Sequence, residues 1–465
     1  MAAPRAPGEL GLSIVGLGTQ YPPYNLPPSA LDKISKKFYP DSPAMQKVLS
    51  INRFTGIDQR SSIGEPDHPL VNGPTAPTIG EINKIFMSDG VPLAVNAARQ
   101  ALTEARVAPS QITHMVSTTC TNSANPGYDH FVARELGLPL TLEKVLLHGV
   151  GCSGGLAALR TAANLCLGHT MRGLPARILV VALEISTTLV RSELDSINTL
   201  QETRIGVALF SDCAGALVLS NDIPFTDGDV ATAAAAAPPI YSLLGWEHQI
   251  IPDTESDLGF DADPLGWKVV LTPRVPTLTQ GVLEPSYHSL LDAIQAPLPE
   301  RYQNPADFDW AMHPGGATIL TGAEKALGIT PEHMRASYDT YINHGNSSSA
   351  TILSVLNRLR AKDMDEMTPG GRGPKDHVVG CAFGPGISVE MCMLRRHQGV
   401  GAGELSGLQT PPETESEASE DGGARSEDGD ELSERSVSGT ASGSRLETAK
   451  SEAFIREALE SVELD

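Results

Sequence analysis

The sequence is poor in several residue types that mark particular classes of protein. Its 465 residues include only 34 Lys or Arg against 56 Asp or Glu, for a net charge of −22, and aromatic residues make up 5%. Because no basic stripe is interleaved with aromatic residues, nucleic-acid binding is not indicated. No apolar run approaches the roughly 18 residues of a membrane span, and the N-terminus lacks the apolar core of a secretory signal. These features predict a soluble, cytoplasmic protein.

Cysteine is also scarce, and its spacing is uninformative for metal binding. No two cysteines form a CxxC pair, which argues against a zinc site and against a disulfide framework. We therefore expect six thiols and no bound metal. The six are Cys120, Cys152, Cys166, Cys213, Cys381 and Cys392.

The acidic charge is concentrated at the C-terminal end of the chain. From residue 401 onward there are 17 Asp or Glu and 5 Lys or Arg, with much Gly and Ser. Such a segment cannot bury enough apolar surface to offset its ordering entropy, so residues 399–465 are predicted to be a disordered acidic tail. Residues 446–464 have near-helical apolar spacing and could form a docking helix, but an unstructured tail is the preferred interpretation.

The remaining chain alternates apolar β-type runs with amphipathic helical patterns. A segment rich in Ala, Asp and Pro at 222–239 separates two stretches of similar rhythm. The pattern predicts an α/β fold with parallel-sheet layers and helices outside and between them. We expect two halves, residues 1–225 and 226–398.

One stretch, KVLLHGVGCSGGLAALRTAANLCL at 144–167, places a cysteine where a strand gives way to a helix. Free backbone N–H groups and the helix dipole at a helix N-terminus favour the thiolate of Cys152, and the flanking glycines allow a substrate to approach the backbone. The alternative is that Cys152 is a small buried apolar residue, as most free cysteines are.

Two turns in the second half carry polar side chains suited to the same chemistry. His313 ends a strand and precedes Pro-Gly-Gly, and Asn346 precedes a helix that begins with serines. Each has an ordinary structural interpretation, as a core histidine and as a helix cap. Together with Cys152 they form a set suited to acyl transfer, in which His313 and Asn346 donate hydrogen bonds to an enolate or oxyanion. Papain-like proteases use the same three residue types, so the trio alone does not define the reaction.

Basic residues cluster near the start of the chain, at Lys47, Arg53 and Arg60. They indicate either a solvated surface or a contact for phosphates at the mouth of a pocket.

Four motifs jointly point to one family. They are GCSGG at 151–155, HPGG at 313–316, GNSSS at 345–349 and FGPG at 383–386. In that order and spacing they resemble the type III polyketide synthases of the chalcone synthase family, over about residues 10–396. A papain-like enzyme would instead need CGSCW around its cysteine, which this chain lacks.

The resemblance implies the thiolase fold, a duplicated α/β arrangement in five α-β-α-β-α layers, and a homodimer. It makes Cys152 the acylated nucleophile, and His313 and Asn346 the pair that promotes decarboxylation of malonyl-CoA. Acyl-CoA and malonyl-CoA would be the substrates, with no metal, flavin or carrier protein.

The resemblance also implies roles around the reaction cavity. Phe210 matches the gatekeeper between the CoA tunnel and the cavity. Val269 stands near the position of a second, normally aromatic gatekeeper. Lys47 aligns with the cluster that binds CoA phosphates, with Arg53 and Arg60 as weaker candidates. The residues that would line the cyclisation pocket are Cys120, Glu184, Ser186 and Ser348.

The small residues in this pocket and the missing aromatic gatekeeper suggest room for a long aliphatic starter. Together with the acidic tail, they resemble the fungal branch that forms alkylresorcinols, resorcylic acids and alkylpyrones. The alternatives are a 3-ketoacyl synthase that stops after one condensation and a non-catalytic acyl-CoA-binding scaffold.

Overall fold

The computed structural model describes residues 8–225, 237–263 and 266–397. The predicted disordered tail and its docking helix lie outside the described residues. The strands are β1 Leu12–Gln20, β2 Tyr24–Leu26, β3 Arg60–Ser62, β4 His114–Thr118, β5 Glu143–Leu147, β6 Arg177–Ile185, β7 Asp212–Ser220, β8 Tyr241–Ile250, β9 Leu258–Asp263, β10 Gly266–Leu271, β11 Asp309–Met312, β12 His377–Gly384 and β13 Ser388–Arg396.

Thirteen α-helices are present in the described part of the chain. They are α1 Ser29–Phe38, α2 Pro43–Phe54, α3 Ile79–Ile85, α4 Val91–Ala105, α5 Tyr128–Leu136, α6 Gly154–Met171, α7 Val190–Leu200, α8 Gly206–Leu209, α9 Val275–Ala293, α10 Ala317–Leu327, α11 Arg335–His344, α12 Ser348–Arg358 and α13 Lys362–Glu366.

Nine strands form one sheet in the order β11-β12-β13-β8-β1-β7-β6-β4-β5. The first half of the chain supplies β5, β4, β6, β7 and β1, and the second half supplies the other four. The two sets meet where β1 and β8 pair, through Leu12 and Leu243. The chain is therefore built from two similar sheet units joined edge to edge.

The expectation of parallel layers is only partly correct. Among the described strands of this sheet, β4 pairs in parallel with β5 and β6, and β11 with β12, whereas the other neighbours are antiparallel. The apolar runs were indistinguishable from parallel strands because their residues are buried on both faces, as the uninterrupted burial of β7 shows.

Helices α6 and α12 pack against each other and against strands of both units, so they form the middle layer. Helices α4 and α5 cover the outer face of the first unit, and α9 and α10 cover that of the second. The order helix, sheet, helix, sheet, helix is the five-layer arrangement expected from the sequence. It brings the N-termini of α6 and α12, from different halves of the chain, to one place.

Candidate active site

The nucleophile turn lies where α6 begins, close to α12. A short 3₁₀ turn, Gly151–Ser153, leads directly into α6. A Cβ added at Gly155 would lie 2.5 Å from both the Ile352 side chain and the Ser349 carbonyl oxygen, so only glycine allows the two helices this close. Likewise, a Cβ at Gly384 would lie 2.3 Å from the Ser153 hydroxyl. The glycines of two motifs thus fix the position of the turn that carries Cys152.

Burial dominates the electrostatics of Cys152. It raises the pKa of the thiol to about 11, although hydrogen bonds from Ser348 and Asn346 act in the opposite direction. Glu184 adds to the rise through its charge. The expectation that the helix N-terminus favours thiolate is therefore not met in the unloaded site, because desolvation of a buried charge outweighs the dipole. At neutral pH Cys152 rests as a thiol.

His313 lies at the end of β11 with its ring enclosed by the protein. Its backbone N–H donates to the Cys381 carbonyl oxygen at 2.8 Å, which continues the pairing of β11 with β12. Neither ring nitrogen has a hydrogen-bond partner among the described residues, and the side chain is 1% exposed. Burial lowers the pKa of His313 to about 3, so the imidazole is neutral. A buried imidazole with both nitrogens unpartnered is available to a substrate.

Asn346 is held by backbone contacts to the first half of the chain. Its N–H donates to the Leu209 carbonyl oxygen at 3.0 Å, and its carbonyl oxygen accepts from Ser211 N–H at 2.9 Å. The side-chain amide donates to the Gly315 carbonyl oxygen at 3.2 Å. Phe210 lies between the two first-half contacts, so this short ladder fixes the predicted gatekeeper and the predicted enolate ligand relative to each other.

Four polar side chains form a chain of contacts that leads away from the nucleophile. The Ser348 hydroxyl lies 3.5 Å from Cys152 Sγ and 3.3 Å from Cys120 Sγ, and Cys120 Sγ lies 3.4 Å from a Glu184 oxygen. Glu184 is fully buried, and burial raises its pKa despite hydrogen bonds from Ser349, Thr121 and Cys120. Ser348 thus contacts Cys152 directly, and Cys120 and Glu184 are linked to Cys152 through Ser348.

Ser348 adopts a left-handed backbone conformation, with a φ of 46°. Its N–H donates to Asn346 Oδ1 at 2.8 Å, which compensates for the strain. This conformation is typical of residues that the surrounding structure holds in place at functional sites.

Two cavities meet at Cys152. One, of about 820 Å³, is lined by His313 and Asn346 as well as by Cys152 and Phe210. The other, of about 660 Å³, shares Cys152 and Phe210 with the first. It is lined in addition by the predicted residues Cys120, Ser186, Ser348 and Val269. The predicted catalytic trio and most of the predicted pocket thus line two neighbouring cavities, and Cys152 and Phe210 border both of them.

Sequence reasoning missed several residues of the second cavity, among them Leu258, Phe260 and Glu193. Leu258 and Phe260 come from β9, and Phe260 stacks on Trp267 of β10 with ring centroids 5.8 Å apart. Phe260 therefore places an aromatic side chain on this wall, while Val269, near the predicted position of the second gatekeeper, is aliphatic. The alternation of β9 is hidden by its acidic residues, which explains why the strand was not predicted.

The third residue is Glu193, which lies on α7 and is 4% exposed. One of its oxygens accepts from Val269 N–H at 3.3 Å, and the other has no hydrogen-bond partner among the described residues. No motif surrounds Glu193 in the sequence, and its α7 was not predicted either.

The three basic residues are not equivalent. Arg53 is exposed and pairs with Asp32 at 2.5 Å, and Lys47 is half-buried one turn before Ile51, which lines the His313 cavity. Arg60 is buried and donates to Asn52 Oδ1 and to the Ala208 carbonyl oxygen, each at 2.7 Å. This arrangement does not favour Arg60 as a phosphate ligand, because its donors serve the protein interior.

Family models identify both halves of the chain. The N-terminal domain of chalcone and stilbene synthases matches residues 57–223, and the C-terminal domain matches residues 243–397. The chain belongs to the chalcone and stilbene synthase family. The family prediction made from the four motifs is thereby confirmed.

Within this family, the similar proteins include fungal type III polyketide synthases. The type III polyketide synthase pspB of Penicillium soppii is 40% identical over 400 residues, covering 83% of this chain and 96% of that protein. The acylalkylpyrone synthase csyB of Aspergillus oryzae is 39% identical over 386 residues, covering 83% and 94%.

Solved structures agree with this assignment. A type III pentaketide synthase from Neurospora crassa is 71% identical, with a TM-score of 0.80, over 83% of this chain and all of that chain. CsyB complexed with CoA-SH is 38% identical, with a TM-score of 0.77 and the same coverage. The thiolase fold expected from the sequence is confirmed.

As a type III polyketide synthase, the protein is an acyltransferase that catalyses decarboxylative condensation with malonyl-CoA, and its substrates are CoA esters. Family membership supports this function rather than a single-condensation ketoacyl synthase or a non-catalytic scaffold. Within the described residues, no helix combines the length and apolar character needed to cross a membrane.

Proposed function

We propose that Cys152 accepts an acyl group from an acyl-CoA and that the chain is extended on the enzyme by repeated condensation with malonyl-CoA. In this proposal the half formed by residues 1–225 supplies Cys152, and the half formed by 226–398 supplies His313 and Asn346. The observation that carries it is that Cys152 lines two neighbouring cavities, one with His313 and Asn346 and one with Cys120 and Ser348.

The charge states of the unloaded site suit the first step. His313 is neutral, so one ring nitrogen can accept the Cys152 proton while the sulfur attacks the thioester carbonyl and expels the CoA thiolate. The proton then passes to the departing CoA. Because both partners begin uncharged, no buried ion has to be maintained before the substrate arrives.

His313 and Asn346 then serve the condensation. Malonyl-CoA loses CO₂, and the electron pair left behind forms an enolate whose oxygen requires hydrogen-bond donors. The unpartnered His313 ring and the Asn346 amide face the same cavity and can supply two. The enolate carbon attacks the acyl carbonyl on Cys152 and releases the sulfur for the next round.

We propose that the second cavity holds the growing chain and closes the ring. Phe210 borders both cavities and would separate the CoA side from the elongation side. The contact chain from Ser348 through Cys120 to Glu184 would supply polar groups for aldol closure, with Ser186 and Val269 as lining. The expected products are alkylresorcinols, resorcylic acids or alkylpyrones.

A long aliphatic starter is favoured by the lining of this space. Leu189, Val190, Val207 and Leu258 face the second cavity, and a third cavity of about 580 Å³ adjoins at Val190, Val207 and Phe210. Two similar proteins, a pentaketide synthase and an acylalkylpyrone synthase, are consistent with an extended acyl product.

The CoA phosphates are assigned to the α2 side of the His313 cavity. Ile51 and Thr55 of this segment line the cavity, and Lys47 and Arg53 lie on the same helix. Arg60 is the weakest of the three proposed phosphate ligands, because it is buried. No metal, flavin or carrier protein is required by the proposed steps.

A homodimer is proposed on the basis of β5. This strand is the outer edge of the nine-stranded sheet, and Val145 on it is 40% exposed. An apolar edge strand is a template for pairing with another chain unless it is covered. Light scattering coupled to gel filtration gives the oligomeric state directly, and a monomeric mass would contradict this assignment.

The test of the proposed function is a product profile. The purified chain is incubated with malonyl-CoA and with acetyl-, benzoyl- or long-chain acyl-CoA, and products are separated by liquid chromatography and identified by mass spectrometry. We expect resorcinolic or pyrone products, made fastest with long aliphatic starters. A single-condensation product, or none with any starter, would contradict the proposal.

Two variants separate loading from condensation. Cys152→Ala should abolish both a covalent acyl adduct and product formation, whereas Cys166→Ala, in the core and away from the site, should preserve both. Asn346→Ala leaves the proposed base His313 in place, so it should retain the adduct on Cys152 but lose condensation. An adduct that persists in Cys152→Ala would place the nucleophile elsewhere.

A further inference from the structure

A cluster of two histidines and a glutamate lies at the edge of the first sheet unit, away from the reaction cavity. His114 begins β4, Glu143 begins β5, and the pairing of these parallel strands places the two residues directly opposite each other. His169, in the last turn of α6, has its ring 4.6 Å from that of His114. One donor atom from each of the three residues lies within 4.8 Å of the other two.

The hydrogen bonds of the two rings leave the same nitrogen of each histidine available. His169 Nδ1 lies 3.2 Å from the Pro175 carbonyl oxygen, which can only accept, so Nδ1 carries the proton and Nε2 keeps its lone pair. His114 Nδ1 lies 2.9 Å from the Thr113 hydroxyl. That hydroxyl is in turn 3.1 Å from the Arg177 carbonyl oxygen.

The tautomer of His114 follows from these contacts. With the proton on Nδ1, the ring donates to Thr113 and the Thr113 hydroxyl donates to the Arg177 carbonyl oxygen. The other tautomer would direct an Nε2–H towards Glu143 Oε2, which lies at 3.8 Å and is too far for a hydrogen bond. Because the His114 side chain is only 3% exposed, that proton would have no hydrogen-bond acceptor. His114 therefore also presents an Nε2 lone pair.

We propose that His114, His169 and Glu143 form a binding site for a divalent transition-metal ion, with Zn²⁺ the best match. Two imidazoles and one carboxylate, with the fourth position open, are a common zinc ligand set, and the same donors suit Co²⁺ and Ni²⁺ better than Mg²⁺ or Ca²⁺. Each ring also has its second nitrogen bonded to an oxygen, which is the arrangement that orients metal-bound histidines.

The geometry requires only a modest contraction. Tetrahedral zinc with bonds of about 2.0–2.1 Å places its ligand atoms roughly 3.4 Å apart, up to about 1.4 Å closer than the 4.8 Å within which they lie here. Glu143 supplies the adjustment, because its side chain is 74% exposed in the single chain and it stands at the first residue of β5, at the end of the proposed dimer edge. His169 lies at the C-terminal end of α6, where the helix dipole favours a cation.

The position of the site defines its effect. Helix α6 begins beside Cys152 and ends beside His169, so the ion would lie on the order of 25 Å from the nucleophile. It would join the end of α6 to the start of β4, whose other end leads to Cys120. The ion would therefore brace two elements that carry the reaction cavity without entering the chemistry. The expectation of no bound metal rested on the absence of CxxC pairs. That pattern does not detect these three ligands, because they are distant along the chain.

The test is a titration of the full-length chain, free of any histidine tag, with Co²⁺ followed by competition with Zn²⁺. The visible bands of tetrahedral Co²⁺ report four-coordinate binding, and calorimetry gives the stoichiometry. The experiment is run in the Cys152→Ala background as well, to remove metal binding by the active-site thiol. We expect one ion per chain in both backgrounds and a rise in Tm with saturating Zn²⁺.

Three variants locate the ion. Glu143→Gln and His169→Gln should each weaken binding tenfold or more and remove the zinc-dependent rise in Tm, whereas His130→Ala, an exposed histidine on α5, should change neither. Glu143→Gln alters an exposed side chain and is expected to fold normally. Affinity unchanged by Glu143→Gln and His169→Gln, or no binding below about millimolar Zn²⁺, would overturn the proposal.

Discussion

Replacing Glu193 with glutamine should stabilise the protein, and more so as the pH rises. Burial raises the pKa of this carboxyl from its ordinary value of 4.5 to about 7, although Arg204 lowers it. A raised pKa means that the folded state binds the proton more tightly than the unfolded state. The stability that this provides is fully present below pH 4.5 and is lost as the pH rises through 7.

The magnitude follows from the difference between the two pKa values. A difference of about 2.5 corresponds to about 3 kcal/mol at pH 8, where Glu193 is ionised in both states. Glutamine keeps the acceptor for Val269 N–H and carries no charge, so Glu193→Gln should recover most of this energy. For a fold of this size that is roughly a 4 °C rise in Tm. Near pH 4.5 the variant and the parent protein should differ little.

The assay is differential scanning fluorimetry of both proteins from pH 4.5 to 8.5. Asp212, whose pKa burial raises to about 6, titrates in the same range but is present in both proteins, so its effect cancels in the difference. Glu202→Gln is the matched control, because it removes an exposed carboxylate that contacts the same Arg204 at 3.2 Å. A Tm difference for Glu193→Gln that is constant across the range, or negative at pH 8, would refute the reasoning.

Three further predictions concern the core and the catalytic residues. Asp309→Asn should lower the free energy of unfolding in urea by about 3–5 kcal/mol, because it leaves the buried Arg335 without its paired carboxylate at 2.8 Å. A loss of less than about 1 kcal/mol would contradict this. Gly384→Ala should reduce condensation activity by at least about tenfold, since the new methyl group would meet Ser153 of the nucleophile turn; unchanged turnover would show that the turn can relax. Alkylation of Cys152 by iodoacetamide, followed by mass spectrometry, should accelerate about tenfold per pH unit between pH 7 and 10, because the pKa of the thiol is about 11. A fast, pH-independent rate would instead indicate a thiolate paired with the His313 imidazolium.

The sequence predicts those elements in which the apolar periodicity and the residues that start and end a helix agree. The bounds of helices α5 and α10 are readable from the sequence, because each begins after a Gly turn and ends at a glycine with positive φ, Gly137 and Gly328. The start of helix α9 is not, because the helix runs from Val275 through Pro285, and a proline usually marks a helix boundary. Helices α7 and α11 lack apolar periodicity, because polar residues such as Glu193 and Arg335 occupy buried positions on them.

The proposed catalytic trio can be predicted from the sequence, whereas the cavity around it cannot. Cys152 and Asn346 each follow a glycine with positive φ at which a Cβ would also be crowded, Gly151 and Gly345, and His313 precedes a Pro-Gly-Gly turn. Glu193 and Phe260 belong to no such motif and reach the cavity through tertiary packing. Motifs therefore point to the groups proposed to react, whereas the shape around them depends on contacts that no local pattern records.

The same distinction explains why the electrostatics of the nucleophile were predicted with the wrong sign. A helix N-terminus is readable from the sequence, and its dipole favours the thiolate. Desolvation is not readable, because it depends on how completely the sulfur is buried once α6 and α12 have packed, and this burial outweighs the hydrogen bonds from Ser348 and Asn346. Since these two helices come from different halves of the chain, the resting thiol is a property of the assembled fold. Activation must then come from the substrate or from His313, which lines the same cavity as Cys152 and whose ring nitrogens have no partner among the described residues.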